Sequence, residues 1–318
     1  MTKIDSGGEA GYEVLTMGRV GVDIYPTTAG PLDTVAAFSR FLGGTATNVA
    51  VAAARLGRRT SVITKVGADP FGRYVRTALE GFGVSSGHVG TAAHLPTPVV
   101  FAELDPPSDP HIWFYRYPKA PDMTLEIADL DRAAIEAADI FWVTGTGLSD
   151  EPSASTTLAS LEWRPAGATT VLDLDWRPDL WPDPSVARER YSRALAGATV
   201  VVGNRSEAEA AVGTADPDAA ADALLAAGPG LAVIKLGADG VLVAEPGRRE
   251  LVAPLKVEVV NGLGAGDAFG GALCHRLLAG DRPGDAVRFA NAAGAYVVGQ
   301  LACADAMPTE AQVTAMME

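Results

Sequence analysis

The residue types best suited to chemistry stand together between Val257 and Leu278, in the run V-E-V-V-N-G-L-G-A-G-D-A-F-G-G-A-L-C-H-R-L-L. Gly262, Gly264 and Gly266 form a glycine-rich turn, and Asp267 follows directly. Phe269, Ala272, Leu273 and Leu277 recur at helical spacing, which predicts a helix starting near Ala265. Val257, Val259 and Val260 are β-branched and read as the end of a buried strand. A strand, a glycine turn and a helix start direct free backbone N–H groups outward at the positive end of a helix dipole, and this arrangement binds anions. A carboxylate beside such a cradle repels phosphate, but it can take a proton from a hydroxyl that attacks phosphorus. The plainer reading of the same residues is a turn built of glycines and an Asp that the dipole favours.

Two other glycine-rich readings fail on position. The dinucleotide fingerprint G-x-G-x-x-G needs a glycine at 267, where this chain has Asp, and belongs in a first βαβ unit rather than near the C-terminus. The P-loop pattern G-x-x-x-x-G-K-[ST] does not occur. The net charge of −14 over 318 residues argues against nucleic-acid and anionic-membrane partners, so an anionic ligand needs backbone N–H groups and a few placed cations. With 48% hydrophobic and 20% charged residues the chain has ample material for a large core. Cys274 and Cys303 make no disulfide framework, and neither a membrane-length apolar run nor a secretory leader is evident, so a reducing, cytoplasmic location is expected. His88, His94, His111 and His275 show no metal-ligand spacing.

The elements that must position these groups alternate along the chain. Residues 1–11 lack periodicity and read as a loose tail. Val14 to Tyr25 reads as a strand interrupted by glycines and carries Asp23, either a turn residue or a ligand contact at a strand end. Residues 31–42 suit an edge strand. Gly43 and Gly44 precede a small-residue helix that Gly57 ends, with Asn48 in its first turn as cap or sugar ligand. A strand over 60–66 leads to Asp69 and Pro70, the N-cap and first residue of another helix. Residues 96–117 form a β-hairpin around a proline-rich turn at 106–110, and with 31–42 it predicts a small separate sheet, a lid. Arg116 sits there as a solvated strand cation or as a bidentate fork for a carboxylate.

Helices near 131–137 and 153–163 and strands at 140–144, 169–174 and 198–202 restore the α/β alternation. Asp173, Asp175 and Arg177 crowd one strand end. Asn204 and Glu207 open the next helix as caps or as a magnesium site. A strand at 231–235 turns through Gly237 and Gly240 into 241–243, and a last strong helix over 284–298 carries Asn291. The expectation is an α/β fold: a doubly wound, mainly parallel sheet flanked by helices, spanning 12–318 as one domain with lid segments near 25–42 and 96–118.

Taken together the motifs resemble the ribokinase-like carbohydrate kinases of the phosphofructokinase-B type, over nearly the whole chain. The N-terminal signature is matched by Gly43-Gly44 and Asn48, and the C-terminal one by Gly264-Ala265-Gly266-Asp267. The N-x-x-E element is matched by Asn204 to Glu207, and the K-x-G-x-x-G element by Lys235, Gly237 and Gly240. The resemblance implies an enzyme in which Asp267 deprotonates the sugar's primary hydroxyl and the amides of Gly264, Ala265 and Gly266 hold the transferring phosphoryl. It implies ATP bordered by Gly237 and Asn291, and Mg2+ positioned through water by Asn204 and Glu207. Asp23, Gly44 and Asn48 would hold sugar hydroxyls, and the lid would close on substrate and pair two subunits into a homodimer. Where the family usually has Asp-Thr, this chain has Asn261-Gly262, which weakens the expectation of a monovalent-cation site.

The runs D-L-D-W-R-P-D-L-W and M-G-R-V-G-V-D most resemble kinases of acidic deoxy sugars. The 5-dehydro-2-deoxygluconokinases of inositol catabolism come first and the 2-dehydro-3-deoxygluconokinases second. Both substrates carry a carboxylate, which suits Arg116; Arg177 would serve substrate or ATP phosphate. The alternatives are a fructo- or ribokinase of the same fold and, from another class, a non-catalytic sugar sensor, which would have no use for Asp267.

Overall fold

The computed structural model describes residues 11–28, 30–103 and 110–318. Most of the expected tail and the turn over 106–109 lie outside them. Strand β1 (Val14–Met17) and strand β2 (Gly21–Pro26) belong to different sheets, so the single glycine-interrupted strand expected over Val14 to Tyr25 is corrected to two. The chain crosses between sheets at residues 18–20. The Gly18 backbone approaches Thr144 so closely that a Cβ would lie 2.4 Å from its Oγ1.

Strand β3 (Phe38–Gly43) leads into helix α1 (Thr45–Arg55), followed by β4 (Thr60–Gly67), α2 (Pro70–Gly81) and the short β5 (Val84–Ser85) and β6 (Val89–Ala92). Asp69 caps α2 by accepting the Gly72 N–H, and Pro70 opens the helix, as expected. Strands β7 (Val99–Glu103) and β8 (His111–Tyr115) form the antiparallel pair expected of the hairpin. A four-stranded sheet runs β3-β2-β7-β8, with β3 at its edge as the 31–42 segment predicted.

The α/β alternation continues through α3 (Arg132–Ala137), β9 (Ile140–Thr144), α4 (Ser153–Glu162), β10 (Thr169–Asp173), α5 (Ala187–Ala196) and β11 (Val200–Asn204). Then come α6 (Arg205–Val212), α7 (Pro217–Ala226), β12 (Leu231–Lys235), β13 (Val241–Glu245), β14 (Arg248–Val252), α8 (Ala265–Leu278), α9 (Pro283–Val298) and α10 (Glu310–Met317). Among the described residues the large sheet has ten strands in the order β14-β13-β12-β11-β10-β9-β1-β4-β5, with β6 also on β4. It is parallel from β12 to β5; β13 is antiparallel to β12, and β14 is antiparallel to β13.

Helices cover both faces of this sheet, so its strands are continuous apolar runs rather than alternating ones. Neighbouring residues still divide by face. Leu15, Phe141, Leu172 and Val201 pack on one side, while Val14, Trp142, Val171 and Val200 pack on the other, against α1, α8 and α9. Helices α1 and α8 touch because both are built of small residues: a Cβ on Gly271 would lie 2.4 Å from that of Ala52. This contact sets the first turns of the two helices side by side.

The strand expected at Val257 to Val260 does not form. Val259 and Val260 are 40% and 43% exposed, and the Val260 and Asn261 N–H groups donate to Val298 O at the end of α9. β-Branched residues favour an extended backbone, but a strand also needs a neighbour. Here the edge of the sheet beyond β13 is already taken by β14. No helix among the described residues is long and apolar enough to cross a membrane.

Candidate active site

Helix α8 begins at Ala265 as expected, with Gly264 as its N-cap at φ +80°. Only glycine adopts that backbone cheaply, and a Cβ there would also meet Cys303 Sγ at 2.9 Å. The first helical bond runs from Ala268 N–H to Gly264 O at 2.9 Å. Ahead of it, the amides of Gly264, Ala265 and Gly266 have no hydrogen-bond partner among the described residues. Gly264 and Gly266 border a cavity of about 380 Å³ lined from both sheets, and Ala265 borders a smaller one on the other side of the helix tip. Lys235, at the end of β12, brings its ammonium to 3.3 Å from where a Gly266 Cβ would stand. The helix tip therefore offers backbone donors, a dipole and a placed cation to one anion.

Asp267 lines the same cavity. Its Oδ2 accepts a 2.7 Å hydrogen bond from Asn48 Nδ2, across the α1–α8 contact. Burial pushes its carboxyl up to about 6; the Asn48 bond opposes the rise, Asp175 adds to it, and Arg19 and Arg177 oppose it. Asn48 is not the cap of α1, a position held by Gly44. Its Oδ1 is buried without a partner, so the residue keeps an acceptor for a ligand hydroxyl.

Asp23 reaches the cavity from β2, the lid strand next to β3, and its carboxylate lies over Gly43, two residues along β3 from its paired residue Phe41. A Gly43 Cβ would lie 2.0 Å from Asp23 Oδ1. Burial raises the Asp23 carboxyl to about 7, opposed by the Tyr25 hydroxyl bond and by Arg19 and reinforced by Asp267. Tyr25 hydroxyl bonds Asp23 Oδ2 at 3.3 Å and lies 2.8 Å from Cys303 Sγ.

The acid-and-arginine crowding at the end of β10 is a buried ion-pair network. Asp175 has a left-handed backbone, φ +33°, uncommon for a residue with a side chain. It accepts from Arg19 Nη2 at 3.2 and 3.1 Å, from Arg177 Nε at 3.2 Å and from Thr146 Oγ1 at 2.8 Å. Burial alone would raise Asp175; the charges of Arg19 and Arg177 and the hydrogen bonds outweigh it and hold the carboxyl below its ordinary value. Arg116 is not the solvated strand cation of the plainer reading. It follows β8, is 9% exposed, and pairs with buried Asp122 at 2.5 Å. Asp122 also accepts the Val20 N–H at 3.1 Å.

On the other side of α8, a cavity of about 240 Å³ lies between the Gly237–Gly240 turn and α9. Gly240, Val257, Phe269, Asn291 and Val298 are among its lining residues. It is flat, apolar and contiguous with the helix tip through Lys235, Gly237 and Gly266, so the residues present suit a nucleoside whose phosphates meet the amides. Asn291 Nδ2 donates to Ala253 O at 3.0 Å and Gly240 packs on Val252 O, so both also hold the loop that shapes this cavity.

The capping role of Asn204 and Glu207 is present in full. Asn204 Oδ1 accepts the Glu207 N–H at 2.9 Å, and Glu207 Oε2 accepts the Asn204 N–H at 2.7 Å. Glu207 lines the 380 Å³ cavity, and its other oxygen has no partner among the described residues. Among the described residues no three His, Cys, Asp or Glu side chains are set to hold a metal. A divalent ion here would rest on Glu207 and on the ligand's own oxygens.

Sequence reasoning assigned no role to Arg19, Asp122, Tyr25 or Cys303. Arg19 did carry a signal, a lone cation within the apolar stretch of 14–25. Cys303 carried none, because its partner Tyr25 is 278 positions away, and Asp122, although only six residues from Arg116, meets it in no regular element whose periodicity would pair them.

The sequence pattern of the pfkB family carbohydrate kinases matches residues 13–310. The chain is 35% identical over 319 residues to the 5-dehydro-2-deoxygluconokinase of Photobacterium profundum, covering 98% of this chain and 96% of that protein. The fructokinase of Vibrio cholerae, in its fructose-, ADP- and calcium-bound form, is 28% identical with a TM-score of 0.86, covering 98% of this chain and 100% of that one. A fructokinase of Xylella fastidiosa with bound ATP is 26% identical with a TM-score of 0.84, covering 96% and 98%.

Proposed function

We propose, from the premise that the chain belongs to the pfkB family of carbohydrate kinases and is a phosphotransferase acting on a sugar hydroxyl, that its donor is ATP and its acceptor the primary hydroxyl of an acidic deoxy sugar, foremost 5-dehydro-2-deoxy-D-gluconate. The observation that carries the reading is the pairing at one helix tip of three unengaged amides with a carboxylate held by Asn48.

Bound ATP with a divalent cation supplies the phosphoryl group and offsets its charge. Asp267 accepts the sugar hydroxyl's hydrogen bond and takes its proton as the oxygen attacks. With its carboxyl near 6 it is ionised at neutral pH and needs no second base. The amides of Gly264, Ala265 and Gly266 hold the migrating phosphoryl, and Lys235 adds charge beside them. Asp23 and Asn48 orient hydroxyls so that one oxygen faces phosphorus, which is most of what phosphoryl transfer requires. Residues 12–318 would act as one domain, with the four-stranded sheet closing over the cleft to exclude water.

The acid-sugar reading is supported by the 35% identical 5-dehydro-2-deoxygluconokinase of Photobacterium profundum and by the arginines lining the sugar end. A lid-mediated homodimer is supported by the exposed Phe38, Trp113 and Tyr115 on the small sheet. Sedimentation of the purified chain tests it. The substrate test is ADP formation with purified protein, Mg2+ and a panel of 5-dehydro-2-deoxy-D-gluconate, 2-dehydro-3-deoxy-D-gluconate, fructose and ribose. The first acid should show the highest kcat/KM. Equal or better turnover of a neutral sugar sinks the acid-sugar reading, while the kinase reading survives.

A further inference from the structure

Arg19 lies where β1 leaves the large sheet and the chain crosses to the small one. It is 7% exposed. Nη2 donates to both Asp175 oxygens and to Thr45 Oγ1, and Nε donates to Thr146 Oγ1 at 3.1 Å. Nη1 has no partner among the described residues, although the side chain borders two cavities. One is the 380 Å³ cavity that contains Asp267; the other is a space of about 600 Å³ under β8. Arg116 borders the same two cavities, and Asp122 holds only its Nη2. Two buried arginines thus form a partition, each fixed at one end by a carboxylate and each with unpaired N–H groups at the other.

In direct ion pairs at this partition Arg19, Arg116 and Arg177 share only Asp122 and Asp175; Asp23, Asp173, Glu207 and Asp267 line the same cavity but make no hydrogen bond or ion pair to these guanidiniums among the described residues. A nearly buried guanidinium with an idle N–H pair is costly unless a ligand completes it. The missing partner is a monoanion with two acceptor oxygens, because guanidinium forks match a carboxylate.

We propose that Arg19 is a specificity-determining residue. Together with Arg116 it takes the carboxylate at the end of the sugar remote from the hydroxyl presented to Asp267. Asp175 and the two threonines hold it in position before substrate arrives. This assignment rests on the acid-sugar reading above.

The test compares kcat/KM for 5-dehydro-2-deoxy-D-gluconate with that for fructose in the parent, in Arg19→Lys and in Arg19→Gln/Asp175→Asn, which removes both buried charges together. Competitive inhibition by gluconate against glucitol, which differ in the C1 carboxylate, gives the same ratio without turnover of a neutral sugar. Loss of one charge-assisted fork should lower the acid-to-neutral ratio about 10- to 100-fold in both variants. A purely structural Arg19 would depress both substrates alike and leave the ratio unchanged. If the parent prefers the acid and folded variants keep that preference, the Arg19 assignment is overturned and the acid-sugar reading stands. If the parent has no preference, the reading falls and the assignment falls with it. Should the double variant fail to fold, Arg19→Lys, which keeps a cation beside Asp175, decides the matter alone.

Discussion

The two ends of the cleft are built on opposite plans. The proposed phosphate end is made of backbone. Its donors come from three consecutive residues, Gly264 to Gly266, and they stand free because a helix start leaves its first amides unpaired. The proposed sugar end is made of side chains. Arg19, Arg116 and Arg177 come from three separate segments, and each is tied to a buried carboxylate before any ligand enters. The first plan is insensitive to which side chains surround it and suits the part of the substrate that every phosphoryl donor shares. The second can change with one substitution and suits the part that differs between sugars.

The largest effect that would break this contrast is at the junction of the two ends. Asp267→Asn should lose about two to four orders of magnitude in kcat while retaining nucleotide binding, which calorimetry with ADP can check. Near-parental turnover would strip Asp267 of its role. The same variant should not lose stability. The Asp267 carboxyl is raised to about 6 from an ordinary 3.8, so its ionisation opposes folding in full above about 6, and the penalty is relieved progressively as pH falls from there towards 3.8. An amide removes that penalty and can donate to the unpartnered Asn48 Oδ1. The thermal midpoint at pH 8 should rise by the equivalent of about 1 kcal/mol, discounted for the open cleft.

Next in size, Gly264→Ala tests the backbone end. The new Cβ meets Cys303 Sγ in a left-handed backbone, so the amides must shift, and kcat should fall about 100-fold with the sugar KM little changed. A rise in sugar KM at constant kcat would show that the two ends are not separable. Arg116→Ala tests the side-chain end. It leaves Asp122 buried without its cation, so unfolding in urea should show a loss of about 3–5 kcal/mol. Arg116→Ala/Asp122→Asn should regain much of that stability but not the preference for an acid substrate.

The pH profile sharpens the comparison further. On the proposed mechanism Asp267, near 6, takes a proton and Asp23, near 7, holds hydroxyls, and both act ionised, so log kcat/KM should fall with a limiting slope of two on the acid side. Asp23→Asn should reduce that slope to one. The smallest effect concerns Asn261. Its Nδ2 donates to Leu301 O at 2.6 Å and its Oδ1 accepts the Leu263 N–H at 3.0 Å, so it is occupied in holding the cradle loop. Replacing potassium by a tetraalkylammonium ion should leave kcat unchanged; strong activation by potassium would mean that another group carries the cation.

Much of this molecule was legible residue by residue. The main α/β alternation, the Asp69-Pro70 helix start, the lid pair β7–β8 and the tip of α8 follow from periodicity, capping and glycine placement within a few neighbouring residues, while β5, β6, α5, α7, β14 and α10 are not among the elements that this reading predicts. Local rules failed where a distant partner decided. Val257 to Val260 have the composition of a strand and no sheet edge to join. Val14 to Tyr25 reads as one strand, but its two halves pair with different sheets.

By itself, then, the sequence determined the helix-tip cradle with its acid, since both depend on covalent neighbours and backbone hydrogen-bond geometry. Tertiary structure alone decided the sugar end. Arg19 meets Asp175 across 156 positions, Asn48 meets Asp267 across 219, and Tyr25 meets Cys303 across 278. Charge pairing and burial act through space, so these groups acquire their roles only when packing of the two sheets brings them within a few ångströms.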